Sequence, residues 1–236
     1  MALPKLNTVT YELEMPSTQE TLKYRPFLVK EQKVLMIAQE SEDEAAVQNA
    51  IADVIKSCTF EKVDPWTMPS FDLEYIFLNI RGKSVGDVLD LTITCPDDNE
   101  TTVPVKVDIQ KINVQVDENH TNILELSEDI KLIMKYPTMK DISKITNSNK
   151  GDTQQLFEII KTCISEIHSG EEIFHSADIS VKDLDEFLGD LQPQHLDTIN
   201  TYFDTMPRLY HMIKVENPVT GVESEVELSG FDDFFD

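Results

Sequence analysis

Residues 8–15, Thr-Val-Thr-Tyr-Glu-Leu-Glu-Met, place Val9, Tyr11, Leu13 and Met15 at period two, the pattern of a half-buried strand. Pro16-Ser17-Thr18 turns the chain, and a second extended run over 22–29, with Pro26 inside it, completes a hairpin. The period changes at Lys30. Val34, Leu35, Ile37 and Ala38 fit a helix, and Ser41 followed three residues later by Glu44 reads as a capping box opening another, striped with Val47, Ile51, Val54, Ile55 and Cys58. Beyond the loop Asp64-Pro65-Trp66-Thr67-Met68-Pro69, Ser70 is placed to cap a helix carrying Phe71, Tyr75, Phe77, Leu78 and Ile80. That helix is apolar nearly all round. It is expected to be the buried centre of the first part, with the N-terminal hairpin packed on it.

Residues 89–94 and 102–109 flank the turn Pro96-Asp97-Asp98-Asn99 as a second hairpin, followed by strand-like runs at 123–126 and 130–135 and a short helix over 139–145. The polar stretch from Thr146 to Asp152 is the best boundary, so the division expected is 1–146, an α+β domain with two hairpins, and 147–236, a helical domain ending in a hairpin and a short tail. The second part opens with a helix capped by Asp152 or Thr153 and striped with Leu156, Ile159, Ile160, Cys163, Ile164 and Ile167. It continues through 172–175 to helices starting at Ser180 and near Pro193. It ends in strands over 209–216 and 222–228 around the loop Asn217-Pro218-Val219-Thr220-Gly221. The fold class is α+β, and the layout of 87–109 is echoed by 208–228.

Composition adds one strong constraint. Of 236 residues, 20 are Lys or Arg and 44 are Asp or Glu, a net charge of −24. Such an excess repels phosphate and so argues against nucleic-acid binding and against docking on an anionic membrane. The first residues lack the apolar run of a secretory signal, and no stretch approaches about 18 consecutive apolar residues, so a protein of the cytosol is expected. Cys58, Cys95 and Cys163, odd in number and far apart, are read as reduced thiols.

Chemistry-bearing motifs are scarce. His120, His168, His175, His195 and His211 do not pair with one another or with cysteine at metal-binding helical spacing, and Cys163 and His168 lie five apart. Cys95-Pro96 resembles half of a zinc knuckle, but the residue three along is Asp98 and no second cysteine pair exists. Phosphate-loop, dinucleotide, nucleophile-elbow and zinc-protease motifs are all missing from the sequence. The reading expects no catalytic residues, no metal, no cofactor and no small-molecule substrate. Glu40, Glu42, Asp43 and Glu44 read as a solvated helix start.

The last residues differ from the rest. Phe231, Asp232, Asp233, Phe234, Phe235 and Asp236 combine aromatic anchors with carboxylates, a composition suited to a partner's groove rimmed by Lys or Arg, or alternatively to folding back on the chain's own core. The tip 217–221 and the acidic stretch 40–44 are further candidate contacts.

Two segments carry a resemblance. The first runs from Tyr24-Arg25-Pro26-Phe27-Leu28-Val29-Lys30-Glu31-Gln32-Lys33-Val34-Leu35 to Glu40-Ser41-Glu42-Asp43. The second joins Phe71-Asp72-Leu73-Glu74-Tyr75-Ile76-Phe77-Leu78 to Ile80-Arg81-Gly82-Lys83-Ser84-Val85-Gly86, with Tyr136-Pro137 and Met206-Pro207-Arg208-Leu209 later. Through these the chain resembles the baseplate hub assembly proteins of contractile-tailed, T-even-type bacteriophages. Relatives of that kind can carry cysteine pairs in one or both hairpins like a zinc ribbon; this chain has Cys95 alone, so no metal is carried over. The resemblance implies a phage protein at work in the host cytoplasm, with other tail and baseplate hub proteins as partners. Its role is that of an assembly factor or of a hub subunit kept in the virion tail baseplate. A hydrolase using scattered carboxylates or Cys163 with His168, and a DNA mimic, are the competing classes.

Overall fold

The period-two residues near the N-terminus do pair. Strands β1 (Tyr11–Glu14) and β2 (Thr21–Tyr24) form an antiparallel ladder in which Leu13 faces Leu22 and Tyr11 faces Tyr24. The extended run ends earlier than expected, because helix α1 (Val29–Glu40) already begins at Val29. Helix α2 (Glu44–Cys58) follows, with Ile51, Val54, Ile55 and Cys58 buried as the stripe predicts. Its cap differs: the Asp43 carboxylate accepts from the Ala45 N–H, while the Ser41 hydroxyl donates back to the Ala38 carbonyl and closes α1. An Asp two residues nearer the helix outcompetes the Ser of the expected box, since either oxygen can serve the free N–H groups of a first turn.

Helix α3 (Ser70–Val85) buries Phe71, Leu73, Ile76, Phe77, Leu78 and Ile80, as an all-round apolar helix must. Pro69 precedes it without a side-chain cap, so Ser70 is its first residue and not its cap. The N-terminal hairpin lies along it. At the hairpin tip the Ser17 N–H donates to Asp72 Oδ1 at 3.0 Å and the Ser17 hydroxyl to Oδ2, while the Lys83 ammonium sits 5.8 Å from the centre of the Tyr11 ring. Near the other end of α3, a Cβ on Gly82 would meet Asp87 Oδ1 at 3.2 Å and Ile109 Cδ1 at 3.3 Å, so a larger residue there would require those two side chains to shift.

Strands β3 (Val88–Thr94) and β4 (Thr102–Asp108) form the second hairpin. A short strand that the pattern did not announce, β5 (Asn113–Gln115), pairs with the later strand β10 (Arg208–Glu216), which in turn pairs with β11 (Glu223–Ser229). The two hairpins share one core of Leu78, Leu89, Leu91, Val107, Ile109, Leu209, Ile213, Val215 and Leu228. Ion pairs cross from β10 to β11, between the facing residues Lys214 and Glu225 and diagonally between Arg208 and Glu227.

The remaining elements are β6 (Ile123–Glu125), β7 (Ile130–Met134), α4 (Met139–Thr146), α5 (Asp152–Cys163), β8 (Ile164–Ser169), β9 (Glu172–His175), α6 (Val181–Gly189) and α7 (Pro193–Asp204). Their sheet runs β6-β7-β8-β9, all antiparallel, and its core joins Leu124, Leu132 and Ile167 to Ile160, Leu184, Leu188, Ile199 and Tyr202. Ile164 and Ile167 belong to β8 and not to the helix expected through them. Between Ile133 and Met134 the register slips by one residue, leaving Ser165 as a bulge, so two isoleucines three apart both face the core. A bulged strand thereby imitates helical spacing.

The computed structural model describes residues 7–41, 43–146 and 151–229 of this α+β protein, and the chain divides into two units: 1–115 with 208–236, and 116–207. That grouping is not the sequential split at 146/147, because β10 pairs with both β5 and β11 and returns the last strands to the first unit. The second unit leaves and rejoins the first at register partners, Gln115 opposite Arg208. Residues 147–150, at the expected boundary, lie outside those described.

Truncating Phe77 to alanine should cost about 3–5 kcal/mol in denaturant melting, the range for a buried aromatic. A loss below about 1 kcal/mol would mean the site collapses around the cavity.

Candidate interaction surfaces

Helix α1 is held by an unusual anchor. Arg25, just after β2, donates from Nη2 to Glu31 Oε1 at 2.9 Å and to the Ser57 hydroxyl of α2 at 2.9 Å, and Ser57 donates to Glu31 Oε1 at 2.9 Å. Glu31 Oε2 accepts the Leu28 N–H at 2.8 Å, which satisfies one donor of the helix start. The ion pair is buried at Glu31 and nearly so at Arg25, whose side chain is 11% exposed. Burial by itself would raise the Glu31 carboxyl, but the Arg25, Leu28, Ser57 and Lys30 donors together hold it down at about 2. A further bond fastens this corner to α3, from the Phe27 N–H to the Ser84 hydroxyl at 2.9 Å.

Only Glu31, Leu35 and Ala38 of α1 turn inward. Val29, Val34, Met36 and Ile37 are 80%, 44%, 54% and 56% exposed. Val34 and Ile37, two of the residues whose spacing announces the helix, therefore face solvent. Lys30 and Lys33 lie among them, since positions three and four apart are neighbours on a helix. Sequence reasoning missed this face because the inward stripe Glu31-Leu35-Ala38 contains a charge that reads as solvated; Arg25, six residues upstream, is the signal that Glu31 has a buried partner.

The two hairpins of the first unit meet at their tips. Asn217, 1% exposed, donates through Nδ2 to Asp97 Oδ1 at 3.0 Å and to Asp98 Oδ2 at 2.9 Å, while its Oδ1 accepts the Val219 N–H at 2.8 Å. Thr220 Oγ1 donates to Asp97 Oδ2 at 2.6 Å. Asp98 also accepts from the Thr101 hydroxyl and from the N–H groups of Glu100 and Thr101. These donors lower both carboxyls: Thr220 and Asn217 lead at Asp97, Thr101 at Asp98. Cys95 is buried beside them, its thiol raised by desolvation and by the two aspartates. A zinc ribbon joins two such turns through a metal held by four side chains. Here Cys95-Pro96-Asp97-Asp98 faces Asn217-Pro218-Val219-Thr220, and hydrogen bonds make the junction. Asn217 and Thr220 of the 217–221 tip, a candidate partner contact in the sequence, are thus engaged with the chain's own side chains.

The other sequence candidates do not converge. Cys163 is fully buried, and burial raises its thiol to about 12; His168 bonds Glu166 Oε2 at 2.7 Å, and His175 approaches the same carboxylate at 3.3 Å. His120 lies between the Tyr136 and Thr205 hydroxyls at 3.1 and 3.0 Å, and His195 caps α7 by accepting the Gln192 N–H. Cys58, Cys95 and Cys163 are all free thiols. Among the described residues no group of three or more His, Cys, Asp and Glu is arranged to hold a metal, and no helix is long and apolar enough to cross a membrane. Of the acidic stretch 40–44, Glu40 ends α1 and Asp43 caps α2, while Glu42 lies outside the described residues. So do Phe231, Asp232, Asp233, Phe234, Phe235 and Asp236.

A family model described as T4 bacteriophage base plate protein matches residues 8–236, nearly the whole chain. Set against curated proteins and against solved structures, the chain matches none of them.

Replacing Glu31 by glutamine leaves Arg25 buried without its counter-charge and should cost about 3–5 kcal/mol. The wild type should lose stability as pH falls from 4.5 toward about 2, since a carboxyl lowered on folding stabilises only while ionised. Glu31→Gln should lose less over that window. Equal acid limbs in urea titrations would show that the pair contributes nothing.

Asn217→Ala should cost roughly 1–3 kcal/mol by removing one donor from each facing carboxylate, and should speed modification of Cys95 by a thiol reagent. The stability loss should shrink as pH falls below about 4, the unfolded aspartate value, because carboxyls lowered on folding stabilise only while ionised. An unchanged labelling rate would mean that the tips stay joined without Asn217.

Proposed function

The chain belongs to the T4 bacteriophage base plate protein family, and from that premise we propose that it is a non-enzymatic assembly factor of the baseplate hub. In this reading it acts in the host cytoplasm, binds hub components and promotes their incorporation. One observation carries the proposal: the two segments through which the chain resembles hub assembly proteins also hold the first unit together. Arg25 and Glu31 of the first segment make its buried ion pair, and Asp72, Gly82 and Ser84 of the second receive the hairpin tip, the close approach of Ile109 and the Phe27 N–H. The resemblance therefore rests on residues with demanding structural work. A binding role is further supported by the burial of Cys163 and by the bonding of His168 to Glu166, which give a cysteine hydrolase no ready nucleophile.

The net charge of −24 suits a factor that repels its own copies and steers a basic partner surface. The proposed contact is the acidic-aromatic segment from Phe231 to Asp236, whose aromatic rings supply a desolvated centre and whose aspartates speed encounter. Purification of the protein beside hub components at low salt tests the binding, with co-elution expected and elution apart from all of them decisive against it. Mass spectrometry of particles and of infected-cell lysate separates the two roles: presence in lysate alone fits an assembly factor, and presence in particles a retained hub subunit. Deleting Gly230 to Asp236 should weaken hub binding at least tenfold, about 1.4 kcal/mol, with the melting temperature unchanged. A melting temperature lowered by many degrees would place those phenylalanines in the protein's own core.

A further inference from the structure

The outward face of α1 combines three properties that rarely coincide on a surface without a partner. It is apolar at Val29, Val34, Met36 and Ile37. It is basic at Lys30 and Lys33 in a chain with more than twice as many acidic as basic residues. It is also rigidly presented, because the opposite side of the same helix is locked by the buried Glu31–Arg25 pair. Lys30 reaches over to Glu31 at 3.3 Å from an exposed position, so its ammonium stays at the rim of the apolar strip. Glu31 turns inward, and the one exposed acid of the helix, Glu40, lies three residues beyond Ile37 at the far end of the face, away from Lys30 and Lys33.

We propose that this face is a docking surface for an amphipathic helix of a partner protein whose apolar stripe is flanked by Asp or Glu. A helix is the fitting occupant because α1 offers side-chain ridges along about 18 Å and no free backbone edge to which a strand could add. Flanking acids follow from charge complementarity with Lys30 and Lys33, which fixes register across such a contact. Their confinement to the flanks follows from the net charge: a partner acidic throughout would be repelled before contact. The inference rests on the binding role proposed above but on residues other than the terminal segment.

The test uses the full-length protein and three fluorescent peptides: an 18-residue helix with a leucine stripe flanked by glutamates, the same helix flanked by lysines, and residues 230–236 of this chain. The glutamate peptide should bind at least tenfold tighter than the lysine peptide, with the preference weakening as salt rises. Lys30→Glu with Lys33→Glu should reverse the order. Val34→Ser with Ile37→Ser should weaken the glutamate peptide at least tenfold at an unchanged melting temperature, since both residues are already exposed. The proposal is overturned if neither helix binds, if the substitutions leave binding unchanged, or if the glutamate helix binds only after residues 230–236 are deleted, in which case the chain's own terminus covers the face. Concentration-dependent self-association abolished by Val34→Ser with Ile37→Ser would likewise overturn it, making a second copy the occupant. Hub binding lost on deleting 230–236 but untouched by the α1 substitutions would sink this inference and leave the assembly role standing.

Discussion

The buried pair between Arg25 and Glu31 is the constraint from which the first unit is built. It ties the end of the N-terminal hairpin to α1 and, through Ser57, to the last turn of α2. Such a pair gains little over well-packed apolar residues in net stability, because removing two charges from water offsets most of their attraction. What it supplies is position. Ordinarily a helix is oriented by a broad apolar stripe, and α1 commits only Leu35 and Ala38 beside the charge. Its remaining apolar side chains are thereby left on the surface.

A similar economy operates at the hairpin tips. Two Pro-containing turns approach each other over a shared apolar core, and the last contact between them is a set of charge-assisted hydrogen bonds on Asn217 and Thr220. Every polar group named there has a partner within the clasp. The clasp and the Arg25 corner share a logic: in a chain so rich in carboxylates, the acids that matter for structure are those given donors, while the others remain solvated.

How far the fold is legible depends on which force placed each residue. Strand alternation at Leu13, Leu22, Leu89 and Val107, and the all-round apolar character of α3, follow directly from burial, and pattern reading finds them. Ile164 and Ile167 mislead because a bulge converts period two into period three. Ser41 misleads because two acceptors compete for one helix start and only the backbone path decides between them. The strand over 113–115 is three residues long, too short to show a period, and exists because β10 offers it an edge.

The sequence alone determined the fold class, most helices and hairpins, the excess of negative charge, and the two segments whose resemblance points to a phage baseplate. These depend on local periodicity and composition, which a chain carries whatever it packs against. Tertiary structure decided which charges are buried, which apolar residues are left outside, and that the last strands return to the first unit. Each of those depends on a partner distant in the chain: Arg25 with Ser57, Asn217 with Asp97, Gln115 with Arg208. Pairings of that kind are set by where the backbone brings two groups together, and residue order does not encode that distance.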